Sequence, residues 1–196
     1  MRFKNVCIEG LACHLPENVV TSTDLERRLA PIYDRLKLPY GRLEMMSGIK
    51  ERRFWDAGIF PSQVAAIAGE KAIEFAEIDR TEIGCLINAS VCRDFLEPAT
   101  ASIVHQNLKL QPNCLVFDIS NACLGVLNGM VHIANMIELG QIRAGLIVAG
   151  KFNKFAFKTN MNDEYPTFTP YPDPHSTYLG TLAEFGLLGF FWPYRA

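Results

Sequence analysis

The sequence predicts an α/β fold in which helices cover a mostly parallel sheet, and two observations carry that reading. Strand-like and helix-like patterns alternate through the first 150 residues, at lengths that suit strand–helix–strand units. The strand-like runs are apolar on both faces, as strands buried between helical layers are. A third observation sets chemistry on this frame. The buried run 115–119 ends, Ser120-Asn121-Ala122 makes a short turn, and a helical pattern starts at Cys123.

Taken in order, Val6-Cys7-Ile8 reads as a short strand. Thr23-Asp24-Leu25-Glu26 matches a capping box and predicts a helix to about residue 36. Ser62, after Pro61, predicts a second helix to about residue 76, with Val64, Ile67, Ala68, Ala72 and Phe75 on its apolar side. Residues 85–90 read as a strand, and 100–110 as a helix with Ile103, Val104 and Leu108 inward. The strand 114–119 follows, then the Cys123 helix, then a strand over 144–149. In the Cys123 helix Val126, Leu127, Met130, Ile133, Ala134 and Ile137 recur at three- and four-residue steps, with few charges between. A helix apolar nearly all round is expected to lie between layers.

Composition bounds the function. With 49% hydrophobic and 20% charged residues the chain is globular, and 196 residues suffice for a real core. A net charge of −2 and the lack of a basic stripe argue against nucleic acid. No apolar run approaches the roughly 20 residues of a membrane span. The opening Met1-Arg2-Phe3-Lys4-Asn5 does not read as a signal peptide, so a soluble, cytoplasmic protein is expected. Six cysteines without a C-x-x-C pair are expected as thiols, and four scattered histidines predict no metal.

The character changes after Gly150. Residues 151–196 hold 12 of the 21 aromatic residues and five of the 11 prolines, with no period. One reading is an aromatic loop and a terminal strand. The reading adopted is a division into 1–150 and an atypical tail, 151–196, foreign to the preceding pattern and expected to be loosely held.

Cys123 is the first candidate site residue. A thiol at a helix N-terminus faces unpaired N–H groups and the positive end of the helix dipole, and both favour the thiolate. Small Ala122 and Gly125 would let a substrate approach. The alternative is a buried structural cysteine.

Several separated motifs carry a family resemblance. Gly48-Ile49-Lys50-Glu51-Arg52-Arg53 and Asp118-Ile119-Ser120-Asn121-Ala122-Cys123-Leu124-Gly125 resemble the thiolase superfamily, in its 3-oxoacyl-ACP synthase III branch. Tyr33-Asp34-Arg35-Leu36, Arg53-Phe54-Trp55-Asp56, the run from Ser90 to Pro98 and Asn128-Gly129-Met130 are most similar to its OleA-type, acyl-CoA condensing members. The resemblance covers about residues 1–150. It implies an αβαβα fold of two similar halves, of which this is the N-terminal one, working as a homodimer. It implies Cys123 as the acyl acceptor and Glu97 as a base that reaches into the partner's site and removes an α-proton from a second acyl-CoA. Burial beside an acyl channel would make that glutamate a better base. The substrate would be a fatty acyl-CoA or an acyl carrier protein thioester, with no further cofactor. A histidine and an asparagine of the family lie in a second half that this sequence does not reach.

The pattern also departs from ordinary synthase III enzymes. Arg42 stands where a tryptophan stacks on the CoA adenine, and Met46 where an arginine is usual. Trp55 is too far along to substitute and reads as core. The function expected is a non-decarboxylative Claisen condensation of two acyl-CoAs to a β-keto acid. The alternatives are a malonyl-ACP-dependent synthase III in fatty acid biosynthesis and a catalytically incomplete fragment of such an enzyme.

Overall fold

The computed structural model describes residues 2–150 and 190–192. In chain order the elements are β1 (Cys7–Ile8), β2 (Asn18–Thr21), α1 (Ser22–Arg28), α2 (Ala30–Leu36), α3 (Arg42–Ser47), β3 (Glu51–Phe54), α4 (Pro61–Ala76), β4 (Ile83–Asn88), α5 (Thr100–Asn107), β5 (Leu115–Asp118), α6 (Gly125–Glu138), β6 (Ala144–Val148) and β7 (Phe190–Trp192). The described residues fall into two units, one built from residues 2–15, 56–150 and 190–192, the other from 16–55.

The larger unit holds a five-stranded sheet in the order β1-β7-β6-β4-β5. β6, β4 and β5 run parallel, with Leu86 beside both Val116 and Leu146; β7 is antiparallel to β6 and to β1. The three parallel strands are those expected from sequence, each within two residues of its expected limits. Period-2 alternation sorts their side chains between two layers. Ile83, Leu86, Leu146 and Val148 pack with Ala68, Ala72 and Ile73 of α4 and Val104 of α5. Cys85, Ile87 and Ile147 pack with Ile133, Ala134 and Ile137 of α6 on the other face. Of the tail, only β7 lies within the described residues. The rest of the 151–196 tail, expected to be loosely held, lies outside them, and with it the test of a boundary after Gly150.

Helix α6 departs from expectation. It is buried along one face, by Gly125, Gly129, Ile133, Ala134 and Ile137, and not all round. Leu127 within it is 50% exposed, and the flanking Leu124 and Leu139 are exposed as well. The four-residue spacing of the glycines and Ile133 explains the close seat on the sheet. A Cβ at Gly129 would touch Ile147 at 3.4 Å, and one at Gly145 of β6 would overlap Ile133 at 2.6 Å.

The smaller unit pairs β2 with β3 in an antiparallel ribbon, Thr21 opposite Glu51, with three short helices between them. The capping box lies two residues before the expected one. Thr21 accepts from the Asp24 N–H, and the Asp24 carboxylate accepts from the Thr21 N–H. Glu26, expected to complete the box, is instead fully buried. Its carboxylate accepts from the N–H groups of Gly41 (2.6 Å) and Leu43 (2.7 Å) and from the Tyr33 hydroxyl (3.1 Å). Those backbone donors first, and the Tyr33 hydroxyl less so, hold the Glu26 carboxyl below the usual glutamate range against the opposing effect of burial. The single expected helix is two, because Pro31 has no N–H to donate and serves the first turn of α2. Trp55, read as core, is half-buried.

Candidate active site

Ligands of parallel α/β sheets sit beyond the carboxyl ends of the strands. Here the chain leaves β4 at Ala89, β5 at Ile119 and β6 at Ala149, and the three exits are tied together. The Ala89 N–H donates to the Val148 carbonyl at 2.7 Å, and the Ile119 N–H to the Asn88 carbonyl at 2.9 Å.

Two carboxylates fix the segment that carries Glu97. Asp118, the last residue of β5, accepts from the N–H groups of Thr100 (3.0 Å) and Ala101 (2.8 Å) and from Asn88 Nδ2 (3.1 Å). It therefore caps α5 from a neighbouring strand, where the helix dipole favours an anion. Asp94 does the same for α4, accepting from the Ser62 N–H at 2.9 Å and from its hydroxyl. The Asp94 N–H donates to Thr100 Oγ1 at 3.1 Å. Ser90 donates to the Gly150 carbonyl and accepts from the Cys92 N–H. The Phe60 and Phe95 rings lie 5.9 Å apart. The outcome is an anchored loop between β4 and α5 whose crest, Phe95-Leu96-Glu97, faces water, with Leu96 85% exposed. Glu97 has no side-chain hydrogen bond among the described residues. The burial expected for this base is not supplied by the described residues of its own chain, because Asp94 and Thr100 hold the loop by its base and leave its crest outside.

Cys123 is exposed. It lies in a single 3₁₀ turn, Ala122–Leu124, two residues before α6 and not at its first residue as expected. The tighter turn follows from the Leu124 N–H donating to the Asn121 carbonyl (2.9 Å) and the Gly125 N–H to that of Ala122. Ala122 has φ +43°, a left-handed conformation that costs a side-chain-bearing residue energy. Gly125 is small for packing, not for substrate access: a Cβ there would lie 3.2 Å from the Ala89 carbonyl oxygen. The first turn of α6 has no side-chain cap; its Gly125 N–H is taken by the Ala122 carbonyl, and the positive end of the helix dipole adjoins the Cys123 turn. Asn121 Nδ2 donates to Asn128 Oδ1 at 2.6 Å. Asn128, Asp118 and Asp94 stand inside the family motifs without a role that spacing alone reveals; an aspartate closing a strand just before a turn is the available signal for Asp118.

Exposure separates Cys123 from its buried counterparts. Burial, with Cys114 nearby, pushes the Cys85 thiol up to about 12, and burial pushes Cys114 up to about 11. Neither forms a useful thiolate at neutral pH. Among the described residues no three His, Cys, Asp or Glu side chains gather as metal ligands, and no helix is long and apolar enough to cross a membrane.

No family model matches the chain. It is 46% identical over 149 residues to the acyl-CoA:acyl-CoA alkyltransferase of Shewanella oneidensis, covering 76% of this chain and 43% of that protein. With the enzyme of the same name from Xanthomonas campestris the identity is 42% over 161 residues, 82% of this chain and 48% of that protein. A β-ketoacyl-[acyl-carrier-protein] synthase III of Chlamydia muridarum is 32% identical over 142 residues, 72% of this chain and 41% of that protein. Among solved structures, cerulenin-bound OleA of Xanthomonas campestris superposes with a TM-score of 0.81 at 37% identity, over 98% of this chain and 60% of that one. An OleA variant with bound lauric acid and lauroyl-CoA gives 0.80 at 36%, over 98% and 57%. The chain thus spans under half the length of the curated relatives it matches. Over its N-terminal part the chain is a thiolase-like homologue of the acyl-CoA:acyl-CoA alkyltransferases and, at greater distance, of the β-ketoacyl synthases III.

Proposed function

We propose that Cys123 accepts a fatty acyl group from a CoA thioester, as the first step of a condensation that joins two acyl-CoAs into a β-keto acid. The observation that carries this is an exposed cysteine in a strained turn between β5 and α6, in a chain 46% identical to an acyl-CoA:acyl-CoA alkyltransferase. The Cys123 thiolate attacks the thioester carbonyl, and the carbon–sulfur bond to CoA breaks. CoA leaves with the proton that Cys123 gave up, and the acyl chain stays on sulfur. The Cys123 N–H and the uncapped start of α6 stabilise the oxyanion formed on the way.

Glu97 is proposed as the base that removes the α-proton of the second acyl-CoA, in the site of a second copy of the protein. Its exposure on an anchored crest supports that reading, because such a carboxylate can be buried by a partner. On this view the enzyme is a cytoplasmic homodimer of lipid metabolism that needs no cofactor beyond its thioester substrates. The 32% identity to a synthase III supports a second reading, in which the carbanion comes from malonyl-ACP.

Incubating the protein with a long-chain acyl-CoA, alone and with malonyl-ACP, tests both. The proposal expects CoA release from acyl-CoA alone and no CO2 from malonyl-ACP. CO2 release would select the synthase III reading, and no CoA release in either mixture would overturn acyl transfer altogether.

A further inference from the structure

We propose that Asn121 and Asn128 form a positioning pair that holds the Cys123 turn in the orientation in which its thiol meets a thioester. The inference rests on Cys123 being the acyl acceptor. It starts from the left-handed Ala122, φ +43°, next to Asn121 at φ −139° and ψ 48°. Such a residue persists only where its surroundings hold it. Packing does not hold this one, since residues 120–124 are all exposed. Asn121 holds it from two directions. Its carbonyl accepts the Leu124 N–H at 2.9 Å, closing the turn on its far side. Its side chain reaches seven residues on and donates to Asn128 Oδ1 at 2.6 Å.

Asn128 is a firm anchor. It lies in the first turn of α6, and its own carbonyl pairs with His132 Nδ1 at 2.8 Å. The strained turn is thereby strapped to a helix that is itself fixed to the sheet. Neither asparagine need touch the substrate. Their contribution is the direction in which the Cys123 Sγ points, and a displaced nucleophile loses rate without losing reactivity.

The test compares Asn121→Ala, Asn128→Ala and the double variant by two rates at Cys123. One is acyl transfer from a saturating long-chain acyl-CoA, and the other is alkylation by iodoacetamide. A small reagent reaches an exposed thiol from many directions, so the ratio of the rates reads alignment and cancels any change in thiolate fraction. Each single variant should lower that ratio about 2- to 10-fold, the equivalent of one hydrogen bond. The double variant should be no worse than the poorer single, because the two residues make one bond. Asn128→Asp keeps an acceptor for Asn121 Nδ2 and should restore most of the ratio. Thermal midpoints should stay close to wild type, since the bond is at the surface. An unchanged ratio, losses that multiply in the double variant, or an Asn128→Asp as poor as Asn128→Ala would each overturn the pair. If the wild-type protein takes no acyl group on Cys123, the acceptor reading fails first, and the pair falls with it for want of anything to position.

Discussion

Gly145 of β6 lies beneath Ile133 of α6, and an added methyl group there has no room. A Cβ at 145 would lie 2.6, 2.7 and 2.9 Å from three Ile133 side-chain carbons, against an optimum of about 3.5–4.0 Å. Ile133 is fully buried, so it cannot swing away into solvent. To restore normal contact α6 must lift by about an ångström. Over-packing of this kind costs about 1–3 kcal/mol. At about 2–4 °C per kcal/mol for a domain of this size, Gly145→Ala should lower the thermal midpoint by about 2–12 °C. Ile133→Ala alone should cost about 2–5 kcal/mol by leaving a cavity. In the double variant the new methyl partly fills that cavity, so the combined loss should fall short of the sum by about 1 kcal/mol or more. Circular dichroism melts of the four proteins give the cycle. A neutral Gly145→Ala, or strictly additive losses, would refute the seating of α6 on β6 and with it the placement of the Cys123 turn.

Further expectations rest on the polar contacts. Glu26 titrates below its ordinary value when folded, so its stabilisation is complete above that value and drains as pH falls through the folded one. Melts against pH should show an acid-side loss that Glu26→Gln flattens, with the variant less stable at neutral pH; parallel curves would contradict this. Asp118→Ala leaves the Thr100 and Ala101 N–H groups without their acceptor and should cost about 3 kcal/mol in a denaturant titration. A loss below about 0.5 kcal/mol, the range of an ordinary surface change, would contradict that capping role. Timed alkylation at pH 8 should mark Cys123 and leave Cys85 and Cys114 unmodified until the protein is denatured, because burial holds their thiols near 12 and 11. Early labelling of either would show that the sheet opens there.

How far the sequence could be read follows from the range of each interaction. The parallel strands β4, β5 and β6 were legible because their apolar runs are local and bounded. So were the starts of α4 and α5, where Pro61 and Thr100 lead. The pairing of β2 with β3 was not, since Val20 meets Arg52 across a separation no local pattern records. Thr21 and Thr23 each begin a fitting cap motif, and only the burial of Glu26 on the Gly41 and Leu43 amides decides between them. Helix α6 read as buried all round because hydropathy does not say which apolar residues a second layer covers. At the site, the turn that carries Cys123 was legible because an apolar run ends at Ile119 and a helical pattern starts a few residues later. The Asp118 and Asp94 caps and the Asn121–Asn128 bond were not, because each is a tertiary contact whose partner the spacing does not name.

The central claim is that Cys123 takes the acyl group, and peptide mapping tests it most directly. The protein is incubated with a long-chain acyl-CoA, quenched in acid, digested and examined by mass spectrometry. The account predicts one acyl mass on the peptide containing Cys123, matched by one CoA released and absent from Cys123→Ser. An acyl mass shared equally with Cys92 or Cys85, or one that survives in Cys123→Ser, would contradict it.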